Sequence, residues 1–182
     1  MGAHLDAVIA TQELVTRLAR KPDRQAEERG FALLRRELDA QPRSLLHKLS
    51  DLALELCRAH SAGVSLLEGE PQRRFFRWHA ASGQWAHNLW KTLPREASPC
   101  GAVLDRRSAQ LMVLPERHFT RLAHVEPKVF EALLIPFPGS GEIIGTLWVL
   151  AHDASRRFDI EDLRIMADLA DFASKVYAHR RV

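Results

Sequence analysis

The stretch Glu142-Ile143-Ile144-Gly145-Thr146-Leu147-Trp148-Val149-Leu150-Ala151 is almost continuously apolar, β-branched or aromatic, and it is too short to span a bilayer. It follows the turn-forming cluster Pro136-Phe137-Pro138-Gly139-Ser140-Gly141, so it reads as a central, buried strand. The apolar run from Glu131 to Phe137 supplies the other arm of a hairpin. Phe158-Asp159-Ile160-Glu161-Asp162 then opens a long helical pattern, and the strand hands over to a helix that can cover one of its faces.

A chain of 182 residues that is 46% hydrophobic holds one well-buried domain plus an appendage. The net charge of +3 arises from 26 basic and 23 acidic residues spread along the whole chain, which gives no basic field for nucleic acid. The arginine pairs, such as Arg106-Arg107 and Arg156-Arg157, fall near predicted helix ends and turns, where cations are ordinary. Two cysteines, Cys57 and Cys100, cannot frame a secreted disulfide scaffold and make no C-x-x-C pair. With no secretory signal and no long apolar run, the expectation is a cytoplasmic protein without a membrane or nucleic-acid partner.

Leu5, Val8, Val15, Leu18 and Ala19 recur at helical spacing up to Lys21-Pro22, predicting a first short helix. Asp23 caps a second, whose apolar face carries Phe31, Leu34 and Leu38. Residues 1–41 are therefore read as an N-terminal helical extension and 42–182 as the domain proper, which begins beside Gln41-Pro42. The extension's apolar stripes must be buried either on the main domain or on another chain. Leu45, Leu49, Leu52 and Leu56 make one edge of a strongly amphipathic helix, with Cys57 on the neighbouring stripe as a small buried hydrophobe.

Ala62 to Glu68 and Arg74 to Ala80 predict a hairpin whose second arm places Phe76, Trp78 and Ala80 on one face. Gln84 to Arg95 has no clear period and carries Trp85 and Trp90, so it is read as a lid or pocket wall over the sheet. Ser98-Pro99-Cys100-Gly101 reads as a helix start with serine as cap and proline first, and Gln110 to Leu114 as another strand. At least five strands linked largely by hairpins and framed by helices argue an α+β fold with an antiparallel sheet. In the last helix Ile165, Leu169, Phe172 and Val176 form a second apolar stripe. It is read as a dimer seam, the alternative being cover from a neighbouring helix or the N-terminal extension.

No nucleophile elbow, phosphate-cradling loop or zinc-helix spacing occurs, and the nine histidines are scattered. No metal site is expected from them. Cys100, at the second position of a helix, faces unpaired N–H groups that favour a thiolate, yet no base or resolving thiol is identifiable. The same helix start, with Ser98, offers donors to an anionic group.

As an ordered set, Ser61-Ala62-Gly63-Val64-Ser65-Leu66-Leu67, Phe76-Arg77-Trp78-His79-Ala80, Ser98-Pro99-Cys100-Gly101, Pro115-Glu116-Arg117-His118-Phe119 and Ile144-Gly145-Thr146-Leu147-Trp148-Val149 resemble the GAF family of sensory domains found in bacterial sensor histidine kinases. The resemblance runs from about Arg43 to Tyr177. It implies a GAF-like central antiparallel sheet flanked by helices, a small-molecule pocket on the other side, and dimerisation through the first and last helices. The implied pocket wall is Trp78, Trp85, Cys100, His118, Phe119 and Trp148, and Ser98, the donor at the helix start, completes the expected ligand-binding set. Cys100 is followed by glycine rather than the histidine usual at bilin attachment, and the cysteine set of the family's methionine-sulfoxide reductases is missing.

The expected function is a non-enzymatic sensor that binds a small molecule and passes its state through terminal helices to a signalling partner such as a sensor kinase, as a homodimer. The sequence leaves the ligand and any cofactor unknown. The competing readings are a dimerisation or scaffold module with a vestigial pocket, and a thiol enzyme built on Cys100.

Overall fold

The computed structural model describes residues 3–37, 42–138 and 142–179. Among them, strands β1 (Ser61–Glu68), β2 (Phe75–Gly83), β3 (Thr92–Pro94), β4 (Gln110–Val113), β5 (Glu131–Pro138) and β6 (Ile143–Ala151) form one sheet in the order β3-β2-β1-β6-β5-β4. All neighbours are antiparallel. The fold is the α+β arrangement expected, and β6 is central, between β1 and β5. Its alternation sends Leu147, Val149 and Ala151 to one core and Trp148 and Leu150 to the other. The turn residues Gly139, Ser140 and Gly141, together with Leu38 and Gln41, lie outside the described residues.

Helices α2 (Arg24–Arg36), α3 (Pro42–Leu56) and α5 (Ile160–His179) cover the first face. Their Leu34, Leu45, Leu49, Ala53, Ile165, Met166 and Leu169 close over Ala62, Val64, Leu133 and Leu147. Helix α4 (Pro99–Arg106) and the connecting segments cover the other face. Ser98 caps α4, its Oγ accepting from the Gly101 N–H at 3.1 Å, with Pro99 in the first turn as the sequence predicts.

Three sequence expectations are corrected. Residues 5–19 are not one helix: a 3-10 turn at Leu5–Ala7 and a single turn α1 (Glu13–Thr16) flank an extended stretch in which Ile9 bridges Met112 of β4. The Ala10 N–H donates to the Leu111 carbonyl and the Val113 N–H to that of Val8, both at 2.8 Å, so this strap satisfies an edge that would otherwise be open. Val8 and Leu14 are buried, whereas Val15 and Leu18 of the presumed stripe are 73% and 97% exposed. In β2, a register shift pairs Val64 with Ala80 and Ser65 with Trp78, leaving His79 as the extra residue. This bulge turns Ala80 to the helix-side core while Phe76 and Trp78 face the opposite way.

The third correction concerns the dimer seam. Ile165 and Leu169 are 2% and 0% exposed inside the chain's own core, and Phe172 meets Phe31 of α2 edge-to-face at 6.1 Å. As far as Ala173, the apolar arc of α5 is covered by α2, α3 and the sheet, which is the alternative the sequence left open. The Val176 side chain lies outside the described residues.

Two buried carboxylates tie the N-terminal strap down. Arg17 donates to both oxygens of Glu131, at 2.8 and 3.0 Å, and to the Phe158 carbonyl; Arg157 reaches the same carboxylate. Arg20 and Arg156 likewise share Asp162, whose two oxygens they take one each. Burial pushes the Asp162 carboxyl up from its ordinary range, against the pull of Arg156 and Arg20. Removing one of the two arginines leaves the buried carboxylate with only part of its compensation. Arg17→Ala is expected to lower unfolding free energy by about 3 kcal/mol in urea titrations. Leu18→Ala, at a far more exposed neighbour, changes it by less than about 0.5 kcal/mol.

Candidate functional site

On the face opposite the long helices, Trp78, Trp85, Cys100, Leu134, Trp148 and Leu150 line an apolar cavity together with Leu93, Pro99, Pro115, Leu122, Val129 and Ala132. Its volume is about 30 Å³. That is the scale of a water or two, against roughly 300–1,000 Å³ for ordinary small-molecule sites. The missing space is filled by indoles. Trp85 stacks on Trp78 with centroids 5.0 Å apart and planes 19° from parallel, and Trp148 meets both edge-on at 5.8 and 5.9 Å.

Each ring is fixed by its strand or by a hydrogen bond. Trp148 lies across Gly63, its register partner on β1; a Cβ there would come within 2.1 Å of the indole. Its Nε1 donates to Ser65 Oγ at 2.9 Å. Trp85 arrives from the connection after β2 and donates through Nε1 to the Pro127 carbonyl at 2.9 Å. The Trp85 backbone N–H donates to Ser61 Oγ at 3.0 Å, and Ser61 Oγ is 2.7 Å from His152 Nε2. His152 Nδ1 is 2.7 Å from the Lys128 carbonyl, which can only accept; Nδ1 therefore carries the proton and Nε2 accepts the Ser61 hydroxyl hydrogen.

Burial holds His152 below the ordinary histidine value, and the neighbouring His60, stacked at 6.1 Å, pushes the same way while the Lys128 carbonyl and Asp153 oppose it. The neutral imidazole is thus the native form, and its 5.8 Å contact with Trp85 joins it to the indole cluster.

Cys100 sits where the sequence put it, early in α4, but its thiol is not activated. Burial raises its pKa, outweighing the Thr146 hydroxyl that donates to Sγ at 3.1 Å. Cys57 is also buried and pushed up by burial. Of the residues the resemblance implied, Trp78, Trp85, Cys100 and Trp148 meet at the cavity. Ser98 is turned into its capping bonds, Oγ also donating to the Arg95 carbonyl. His118 binds the Ala3 carbonyl at 2.6 Å and lies edge-on to Phe119, which is buried in the same core without lining the cavity.

Sequence reasoning missed Leu134 and Leu150, although strand alternation places both on the face of Trp148. It also missed the Ser61–His152 pair, for which residues far apart in the chain leave no local signal. Among the described residues no group of three His, Cys, Asp or Glu side chains is placed to hold a metal. No helix among them is long and apolar enough to cross a membrane.

An antiparallel sheet with long helices on one face and a small apolar cavity on the other is the arrangement of a GAF fold. The chain belongs to the GAF domain family, whose model matches residues 39–176. Its structure is similar to the GAF domain of an Acinetobacter phosphoenolpyruvate-protein phosphotransferase, at 16% identity over 84% of this chain and 93% of that one, with a TM-score of 0.66. It is similar to the phycocyanobilin-bound GAF domain of a cyanobacterial phytochrome, at 12% identity over 88% and 96%, TM-score 0.67. It is also similar to the free methionine-R-sulfoxide reductase of Neisseria meningitidis in complex with its substrate, at 13% identity over 91% and 98%, TM-score 0.67. At such identities the likeness establishes the fold alone. Comparison with curated protein sequences gives no match.

Two outcomes check this geometry. Gly63→Ala is expected to force Trp148 from its place and destabilise the protein by about 1–3 kcal/mol, with loss of near-ultraviolet tryptophan dichroism. Because the folded pKa of His152 lies below its unfolded value, the stability it contributes is full above about pH 6.5 and is lost as pH falls through the folded pKa. Tryptophan fluorescence should therefore hold steady at neutral pH and change only on acidification below the ordinary histidine range, a change that His152→Asn removes.

Proposed function

We propose that this GAF domain is a non-enzymatic signal-sensing module that binds a small molecule between its sheet and the Trp85 connection and passes the bound state to its helices. The observation that carries the reading is the position of Trp148. Its ring floors the indole cluster while its neighbours Leu147 and Val149 on β6 pack against the helix-side core. A ligand that moves this ring acts on a strand whose reverse face carries α3 and α5. The helices then report to a signalling partner such as a sensor kinase, with the domain working as a cytoplasmic homodimer through surfaces other than Ile165 and Leu169.

A thiol enzyme is disfavoured by the buried Cys100, whose neighbour Thr146 donates to the sulfur instead of removing a proton. The reading as a scaffold with a vestigial pocket draws its support from the 30 Å³ cavity. Against it stands the placement of Trp85, which is 3% exposed and lines the cavity while its immediate neighbours Gln84, Ala86 and His87 face solvent.

Native mass spectrometry of the protein incubated with the low-molecular-weight fraction of a cell extract tests the sensor reading. A retained non-covalent mass, lost on denaturation and accompanied by altered hydrogen exchange in α5, is the expected result. A clean protein mass with unchanged exchange in α5 favours the scaffold.

A further inference from the structure

We infer that the slot now filled by the Trp85 indole is the ligand site itself, and that its ligand is a neutral, planar, indole-like heteroaromatic with a ring N–H, for which Trp85 is a built-in stand-in. This rests on the sensor reading above and gives it a ligand class.

The cavity beside the slot is far too small for a ring system, so a ring enters only where one leaves. Trp148 cannot leave, because it is part of β6 and lies against the Gly63 backbone. Trp78 lies within β2, hydrogen-bonded on both backbone sides to the segment Trp90-Lys91. Trp85 alone of the three lies outside a strand. Its connection is bounded by two residues with positive φ, Gly83 at +74° and Trp90 at +70°. A Cβ at Gly83 would also come within 2.3 Å of the His60 carbonyl, so that bend requires glycine.

The chemistry of the slot follows from what the indole touches. Trp78 supplies a parallel face at 5.0 Å, and Trp148 and the His152 ring close the sides. The Pro127 carbonyl accepts the ring N–H. The cavity lining carries no ionisable side chain other than the buried Cys100 thiol, and the imidazole beside the slot is neutral, which selects against anions and cations alike. A flat bicycle with one donor at its edge reproduces the ring contacts and the N–H bond that the Trp85 side chain gives up. Benzofuran, which has the shape of indole and an oxygen where indole has its N–H, leaves the Pro127 carbonyl unpaired.

Calorimetric titration of the full chain and its Trp85→Ala variant with indole, benzofuran and indole-3-acetate at neutral pH tests this. The Trp85 Nε1–H signal is followed in parallel by ¹H–¹⁵N spectroscopy, assigned with Trp85→Phe. Indole is expected to bind the wild-type chain while that signal moves to its solvent-exposed position. Trp85→Ala should tighten indole at least about tenfold, because the internal competitor is gone. Benzofuran should bind about fivefold more weakly than indole, and indole-3-acetate more weakly still.

Equal indole affinity in the two proteins, or benzofuran binding as tightly as indole, overturns the inference. So does binding to Trp85→Ala alone with the wild type silent in millimolar indole, since an engineered cavity accepts any ring of its size. Should Trp85→Ala fail to fold, the wild-type titration and the moving Trp85 signal decide by themselves. An extract component retained by the wild type that indole does not displace overturns the ligand class while leaving the sensor reading intact. Absence of any bound component together with silent indole removes both.

Discussion

Trp148 rests on the backbone of Gly63, and the two sides of the molecule meet at this contact. The two residues are register partners on the central strands β6 and β1, and no side chain larger than hydrogen fits beneath the indole. With the ring held there, Trp78 and Trp85 have an edge to close against, and Ser65 gains the N–H it accepts. On the reverse face of the same strand, Leu147 and Val149 are buried under the helices. Only the thickness of one sheet separates the candidate ligand site from α3 and α5. Close-packed interiors transmit displacements of this kind because they offer few voids to absorb them.

A second constraint holds the ends of the chain together. Glu131 opens β5 and Asp162 lies in the first turn of α5, and both carboxylates are buried. Each is shared by one arginine of the N-terminal strap and one of the Arg156-Arg157 pair. The strap therefore crosses from the β4 edge to the start of α5 and contributes Val8 and Leu14 to the interior. Burying an ion pair gains little net stability, but losing one partner is costly, so the arrangement specifies where the strap lies more than it strengthens the fold. The segment ahead of the matched family region is in this way built into the domain it precedes.

Local pattern reads well where one element decides its own form. The β5–β6 hairpin, the cap at Ser98, the amphipathic α3 and the long α5 all follow from spacing and capping residues within a few positions. The same reasoning fails where a distant backbone intervenes. Leu5, Val8, Val15 and Leu18 have helical spacing, yet hydrogen bonds from β4 draw residues 8–10 into an extended strap. Ala80 alternates with Trp78 on paper, yet the bulge at His79 sends it to the opposite core. Ile165 and Leu169 form an apolar stripe, but which surface covers it depends on where α2 and α3 pack.

The sequence by itself determined the fold class, the central strand, the helix that follows it and the family to which the domain belongs, and it marked Trp78, Trp85, Cys100 and Trp148 as wall residues. Those signals are periodicities and motifs held within single elements, so they survive without knowledge of neighbours. Only the tertiary structure decided that the wall residues close on one another to leave about 30 Å³, that Cys100 is held as a thiol, and that Ser61 and His152 anchor Trp85. Cavity volume, desolvation and a hydrogen bond spanning 91 residues are properties of groups brought together by the whole fold, and no one stretch of chain contains them.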